Sequence, residues 1–155
     1  MKYTFSIMSQ ESALMIANQW HYEEPYSFYD AEADRDDYQE LISPELRNSH
    51  YYEAKIEDDL VGFFSITIDD GQIEIGLGLR PDYCGKGLGK EFLCQIEEYL
   101  IPIFHPQKLI VFVASFNLRA MKVYKSCGYQ IIGEENRRTN NDNYLFIKMK
   151  KEVYH

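Results

Sequence analysis

The stretch Cys84-Gly85-Lys86-Gly87-Leu88-Gly89-Lys90 places glycine at every second position. It follows an apolar run, Ile73 to Leu79, that reads as a buried strand and is broken by Arg80-Pro81-Asp82-Tyr83. Beyond it Leu88, Phe92, Leu93, Ile96 and Leu100 recur at helical spacing. A glycine turn leading into a helix presents unpaired N–H groups and the positive end of the helix dipole, which suits phosphate. Without a Cβ the backbone can approach that phosphate closely. Two common phosphate loops do not fit. A P-loop needs Ser or Thr after Gly-Lys, but Gly89-Lys90 is followed by Glu91, and Cys84 stands where its first glycine belongs. A dinucleotide fingerprint counted from Gly85 and Gly87 needs a glycine at Lys90.

Three further groups could carry chemistry. Asn117 and Tyr124 are seven residues apart, two helical turns, and share one helix face. The plainer reading makes Asn117 an N-cap and Tyr124 a core tyrosine. Glu74 is the odd charge in its apolar run, where alternation puts Glu74, Gly76 and Gly78 on one face and Ile75, Leu77 and Leu79 on the other. A carboxylate held among apolar neighbours makes a better base; a solvent-facing strand residue is the alternative. Glu23 and Glu53 are weaker candidates for the same task.

The aromatic stretch from Trp20 to Tyr29, with Tyr22 and Tyr26 between, could cage an ammonium through cation–π attraction of about 0.5–2 kcal/mol per contact. Packing against the sheet or a partner would use the same residues. The acidic segment Asp30 to Asp37 reads as a solvated face. The histidines show no metal-ligand spacing, so no metal is expected, and no nucleophile elbow occurs.

The elements that must position these groups follow from pattern. Tyr3 to Met8 alternates, and Ser9 is a fitting N-cap for a helix carrying Ala13, Leu14, Ile16 and Ala17. A helix over Asp36 to Arg47 comes next. Tyr51 to Glu57 and Leu60 to Ile68 form a hairpin, and Asp69-Asp70-Gly71 turns into a third strand, Gln72 to Leu79. After the glycine loop and its helix, Ile101 to Gln107 reads as a proline-punctuated connection. Leu109 to Val113 is β-branched and suits a central strand. Asn117 opens a helix that Gly128 closes, and Tyr129 to Glu135 pairs with Tyr144 to Met149. The order is β-α-α-β-β-β-α-β-α-β-β.

With 155 residues, one domain over 1–155 is the simplest division, and 45% hydrophobic content argues against disorder. A net charge of −9 disfavours nucleic acid and attracts cationic ligands. Cys84, Cys94 and Cys127 form no C-x-x-C pair, and no leader or long apolar run is seen, so a cytoplasmic protein with no membrane partner is expected.

The glycine stretch resembles the pyrophosphate loop of the GNAT superfamily of N-acetyltransferases, whose motif runs Gln/Arg-x-x-Gly-x-Gly/Ala after a strand and a Pro-x-Tyr. Pro81-Asp82-Tyr83 and Gly87-Leu88-Gly89 match; Cys84 stands where that family prefers Gln or Arg. The segment from Asn117 to Tyr129 is similar to the family's Asn-x-x-Ala-x-x-x-Tyr-x-x-x-Gly-Phe/Tyr. The element order also resembles that family over roughly the whole chain.

The resemblance implies an α/β (α+β) fold with a mixed, mostly antiparallel central sheet flanked by helices, and acetyl-CoA as co-substrate. It implies a cofactor site at Leu77, Gly78, Leu79, Cys84, Gly85, Lys86, Gly87, Leu88, Gly89, Lys90, Asn117 and Tyr124. Lys86 and Lys90 are the expected substitutes for the missing Gln or Arg. Tyr124 would protonate the leaving thiolate, which a phenol can do only slightly uphill. A backbone N–H at Gly78 or Leu79 would hold the carbonyl oxygen, and Glu74 would take the amine's proton. Trp20, Tyr22, Tyr26 and Tyr29 would wall the site of a small-molecule or peptide amine. A thiol at Cys84 would meet pyrophosphate rather than thioester. A non-catalytic acyl-CoA-binding module and an enzyme for another acyl-CoA are the rivals, and the exposed edge of such a sheet leaves room for a homodimer.

Overall fold

A computed structural model describes residues 1–154. Its strands are β1 (Thr4–Ile7), β2 (Tyr51–Ile56), β3 (Asp59–Asp69), β4 (Gln72–Leu79), β5 (Lys108–Ala114), β6 (Gln130–Thr139) and β7 (Asp142–Glu152). They make one sheet in the order β1-β2-β3-β4-β5-β7-β6. Every neighbouring pair is antiparallel except β4 and β5. The helices are α1 (Gln10–Gln19), α2 (Arg35–Ile42), α3 (Pro44–Arg47), α4 (Gly89–Phe104) and α5 (Leu118–Ser126).

Local chemistry accounts for most boundaries. The Ser9 side chain accepts the Ser12 N–H at the start of α1, as an N-cap should. The β3–β4 turn puts Asp70 and Gly71 at φ 44° and 80°, the paired left-handed conformation of a two-residue hairpin. Asn140 and Asn141 do the same between β6 and β7, so that pair runs longer than the aromatic and aliphatic residues alone suggest.

Two expected boundaries are corrected. The helix expected over Asp36 to Arg47 is two helices, because Pro44 forces its predecessor out of helical conformation: Ser43 is extended at φ −100°, ψ 116°. Ser43 then N-caps α3 by accepting the Leu46 N–H. The expected connection at Ile101 to Gln107 is instead largely helical, since α4 continues through Pro102 to Phe104. The missing N–H there is outweighed by packing, with Leu100 fully buried and Ile101 and Phe104 against the core.

Two apolar clusters hold the sheet from its two sides. The larger joins Phe64, Ile73, Ile75 and Leu109 to Phe92, Leu93, Ile96 and Leu100 of α4. The smaller joins Ala13, Ile16, Ala17 and Trp20 at α1 to Leu41 and Leu60, with Phe63 packed on it. Phe63 and Phe64, adjacent on β3, thus serve opposite faces, as strand alternation requires. Among the described residues no helix is long and apolar enough to cross a membrane.

One irregularity positions the site. β4 and β5 pair only over Gln72–Glu74 and Lys108–Ile110. Each strand then stays with its other neighbour, β4 with β3 and β5 with β7, so the two part like the arms of a V.

Candidate active site

The parted strands open into a cleft of about 790 Å³ that runs from the glycine loop to the aromatic segment. Leu77, Gly78 and Leu79 form one wall, Asn117, Ala120, Val123 and Tyr124 part of another, and Gly85, Gly87, Leu88 and Gly89 one end. Lys86 and Lys90 are exposed and lie outside this wall.

The phase of the β3–β4 ladder decides which β4 amides face the cleft. Arg80 donates its N–H to Val61 O, and partners then alternate down the strand. The even-numbered residues, Gly78 included, direct their main-chain groups to β3. Leu77 and Leu79 direct theirs towards the gap. Consistent with that, Leu79 O accepts the Tyr22 hydroxyl at 2.8 Å. Of the two expected carbonyl-holding amides, Leu79 therefore faces the gap and Gly78 does not, while Leu77 gains that orientation. Gly78 is needed for space, since a Cβ there would stand 2.6 Å from the Phe63 ring.

The loop is a backbone cradle. Gly85 and Gly87 take φ of 72° and 74°, and a Cβ at Gly87 would meet nothing within 4 Å. α4 begins at Gly89, and Leu88 before it supplies no side-chain cap, so the first amides of the helix remain available to an anion. Acyl-CoA's pyrophosphate fits this end on those grounds. Cys84 also lines the cleft, but its thiol is engaged with main chain, its Sγ 3.6 Å from both Leu79 O and Arg80 O, and burial pushes its thiol up.

Asn117 is buried and occupied at both ends of its amide. Its Oδ1 accepts the Ala120 N–H at 3.0 Å, capping α5, and its Nδ2 donates to the Tyr29 hydroxyl at 3.0 Å. Tyr124 lines the cleft, and among the described residues its hydroxyl makes no hydrogen bond. Burial, with Tyr29 nearby, pushes its phenol up, so it holds its proton throughout the neutral range.

Glu74 stands at the fork, in the last β4–β5 pair. Its side chain is 37% exposed and 3.6 Å from Arg137 Nη2, rather than held among apolar neighbours. Arg137 lies over the Phe112 ring, and both of these residues line the cleft, whereas Glu74 stands behind them.

The aromatic residues divide. Trp20 is buried beside Phe63 and is mainly a packing residue. Tyr22 ties its segment to β4, Tyr29 joins Asn117, and Tyr26 lies under the Arg119 guanidinium at 4.0 Å.

The acidic segment is not wholly a solvated face. Asp30 and Asp37 line the cleft; Asp30 accepts the Tyr22 N–H and meets His21. Desolvation at the wall, together with Asp34, Glu40 and Asp36, pushes the Asp37 carboxyl up to about 6, although it remains reachable from solvent. Asp30, Asp37 and Arg119 are residues the sequence reading missed. Their only signal was a charge close to a motif, which spacing alone does not aim.

The aligned part of a spermidine N(1)-acetyltransferase from Vibrio cholerae is 24% identical over 120 residues, taking up 74% of this chain and 65% of that enzyme's length. In structure, the chain is similar to a spermidine N-acetyltransferase from Vibrio cholerae in complex with CoA and spermine, at TM-score 0.71 and 17% identity over 97% of this chain and 95% of that one. It is also similar to AAC(6')-Ib in complex with ribostamycin and coenzyme A, at TM-score 0.75 and 19% identity over 97% and 93%. The fold is therefore that of these acetyltransferases. The acetyltransferase (GNAT) family pattern matches residues 14–129, which takes in the second half of α1, the parted strands, the glycine loop and all of α5, and the chain belongs to that family.

Proposed function

We propose that this GNAT acetyltransferase moves the acetyl group of acetyl-CoA to a terminal primary amine of a linear polyamine. The observation that carries the reading is the continuity of one cleft. A backbone cradle for pyrophosphate stands at one end, and aromatic rings with the Asp30 and Asp37 carboxylates stand at the other. A polyamine offers several ammonium groups, and rings and carboxylates are the groups that recognise them. The names of the Vibrio cholerae relatives point to the same acceptors.

Acetyl-CoA supplies an acyl group already activated as a thioester, so the chain needs no nucleophile of its own. The Leu77 and Leu79 N–H groups face the gap, where they can hold the carbonyl oxygen. Tyr124 keeps its proton until a thiolate develops beside it. Glu74, at the fork and behind Arg137, takes the amine's proton through water. The three unpaired cysteines support a reducing cytoplasm, and the exposed Ile131 and Ile132 on edge strand β6 support self-association.

The test is thiol release from acetyl-CoA with spermidine, spermine, a free amino acid and a peptide N-terminus offered in parallel. Turnover with the polyamines supports the reading. Binding of acetyl-CoA with no turnover of any amine would favour a non-catalytic acyl-CoA-binding module.

A further inference from the structure

Cys84 leaves the pyrophosphate loop without the long polar or cationic side chain that the family pattern places there, and its thiol is engaged with Leu79 O and Arg80 O. Lys86 and Lys90 do not line the cleft. Arg119, from a different helix, does. Its Nη1 lies 3.5 Å from the position a Cβ would take on Gly85, so the guanidinium rests directly on the loop. Gly87, where a Cβ would meet nothing within 4 Å, lines the same cleft as Arg119.

Helix stability does not account for an arginine at this place. Arg119 is in the first turn of α5, which has no acidic residue, and a cation there opposes the helix dipole. Among the described residues Arg119 makes no ion pair. Its guanidinium lies over the Tyr26 ring, 4.0 Å from the ring centre, and is close enough to act electrostatically on the Cys84 thiol and the Tyr29 phenol. Stacking on a ring fixes the plane of a guanidinium while leaving its in-plane N–H donors free. The result is an aimed cation with unused donors beside a backbone anion cradle.

We infer that Arg119 grips the pyrophosphate of acyl-CoA, replacing from α5 the side-chain contact that Cys84 cannot make, with Tyr26 as the platform that aims it. The inference rests on the acetyl-CoA reading above and adds to it a binding residue. It also joins the two ends of the cleft, since Tyr26 belongs to the aromatic segment on the acceptor side.

The experiment compares wild type, Arg119→Ala and Arg119→Lys by calorimetry with acetyl-CoA at several salt concentrations. Beside it runs turnover of S-acetylpantetheine, which ends before the pyrophosphate. Loss of a charge-assisted contact predicts acetyl-CoA affinity lower by roughly 10- to 100-fold in Arg119→Ala, with Arg119→Lys between, and acetylpantetheine kcat/KM unchanged within about twofold. The salt dependence of acetyl-CoA binding should also be shallower in Arg119→Ala. Wild-type affinity in Arg119→Ala would overturn the inference. So would an equal loss for both donors, which is what a structural role for the Arg119–Tyr26 stack gives. Failure of the wild type to bind acetyl-CoA would instead remove the acetyltransferase reading, and this inference with it.

Discussion

At the loop end of the cleft, recognition is written mainly in main chain, with Arg119 the one side chain inferred to join it: two left-handed glycines, an uncapped helix start and the amides of Leu77 and Leu79. At the acceptor end it is written in side chains drawn from α1, the turns after it and α2, with Asp30, Asp37 and the tyrosines standing between. A main-chain site tolerates change at most side chains but not a change in backbone conformation. A side-chain site behaves the other way, and its specificity can drift while the cradle stays the same. Substitutions should therefore separate the two ends cleanly.

The largest effect is expected at Gly87. Gly87→Asp places a Cβ at φ 74° and a negative charge against the pyrophosphate, so acetyl-CoA binding should fall by more than roughly 100-fold in calorimetry. Unchanged affinity would dissolve the distinction between the ends. Next comes Tyr124→Phe. Removing the proton donor should lower kcat by roughly 10²-fold or more and leave acetyl-CoA affinity in place, because the lost interaction belongs to the leaving thiolate alone. A matching loss of binding would make Tyr124 a wall residue instead.

Glu74→Gln should lower kcat/KM for the amine by roughly tenfold at neutral pH, with recovery as rising pH deprotonates the amine in solution. A flat response would leave proton removal to water alone.

Asp37 gives the smallest effect and the sharpest view of the acceptor end. Its carboxyl, pushed up to about 6 by the crowded wall, is charged above that pH and neutral below it. The KM for a cationic amine should therefore rise as pH falls through about 6. In Asp37→Asn the KM should be raised by roughly three- to tenfold and lose that step, while the KM for acetyl-CoA stays unchanged. Stability at neutral pH should not drop, since ionising a crowded carboxylate opposes folding.

The same contrast explains what was legible in the sequence. The loop could be read because its information is local: glycine spacing, a proline break before it and helical periodicity after it. The succession of strands along the chain was legible for the same reason, and Ser9 and Asn117 announced their helices by type. The split at Pro44 had a local cause too, and was missed because helical content on either side outweighed one residue. The helical run through Pro102 went the other way, since burial of Leu100 is a tertiary fact. The acceptor end was hardest to read because Asp30 and Asp37 come to line the cleft only after folding. No spacing tells an acidic residue in a solvated run from one turned to a cleft wall, nor that an arginine on α5 will lie on a glycine loop. The phase of the β4 amides likewise depended on a pairing with β3 that alternation leaves undetermined.

The central claim is that both ends of one cleft serve one reaction, and steady-state acetylation of spermidine with mass analysis of the product tests it most directly. The account predicts one CoA thiol released for each acetyl group found on a terminal nitrogen, saturable in both substrates. Tight binding of acetyl-CoA with no acetylated polyamine and no polyamine-dependent thiol release would contradict it.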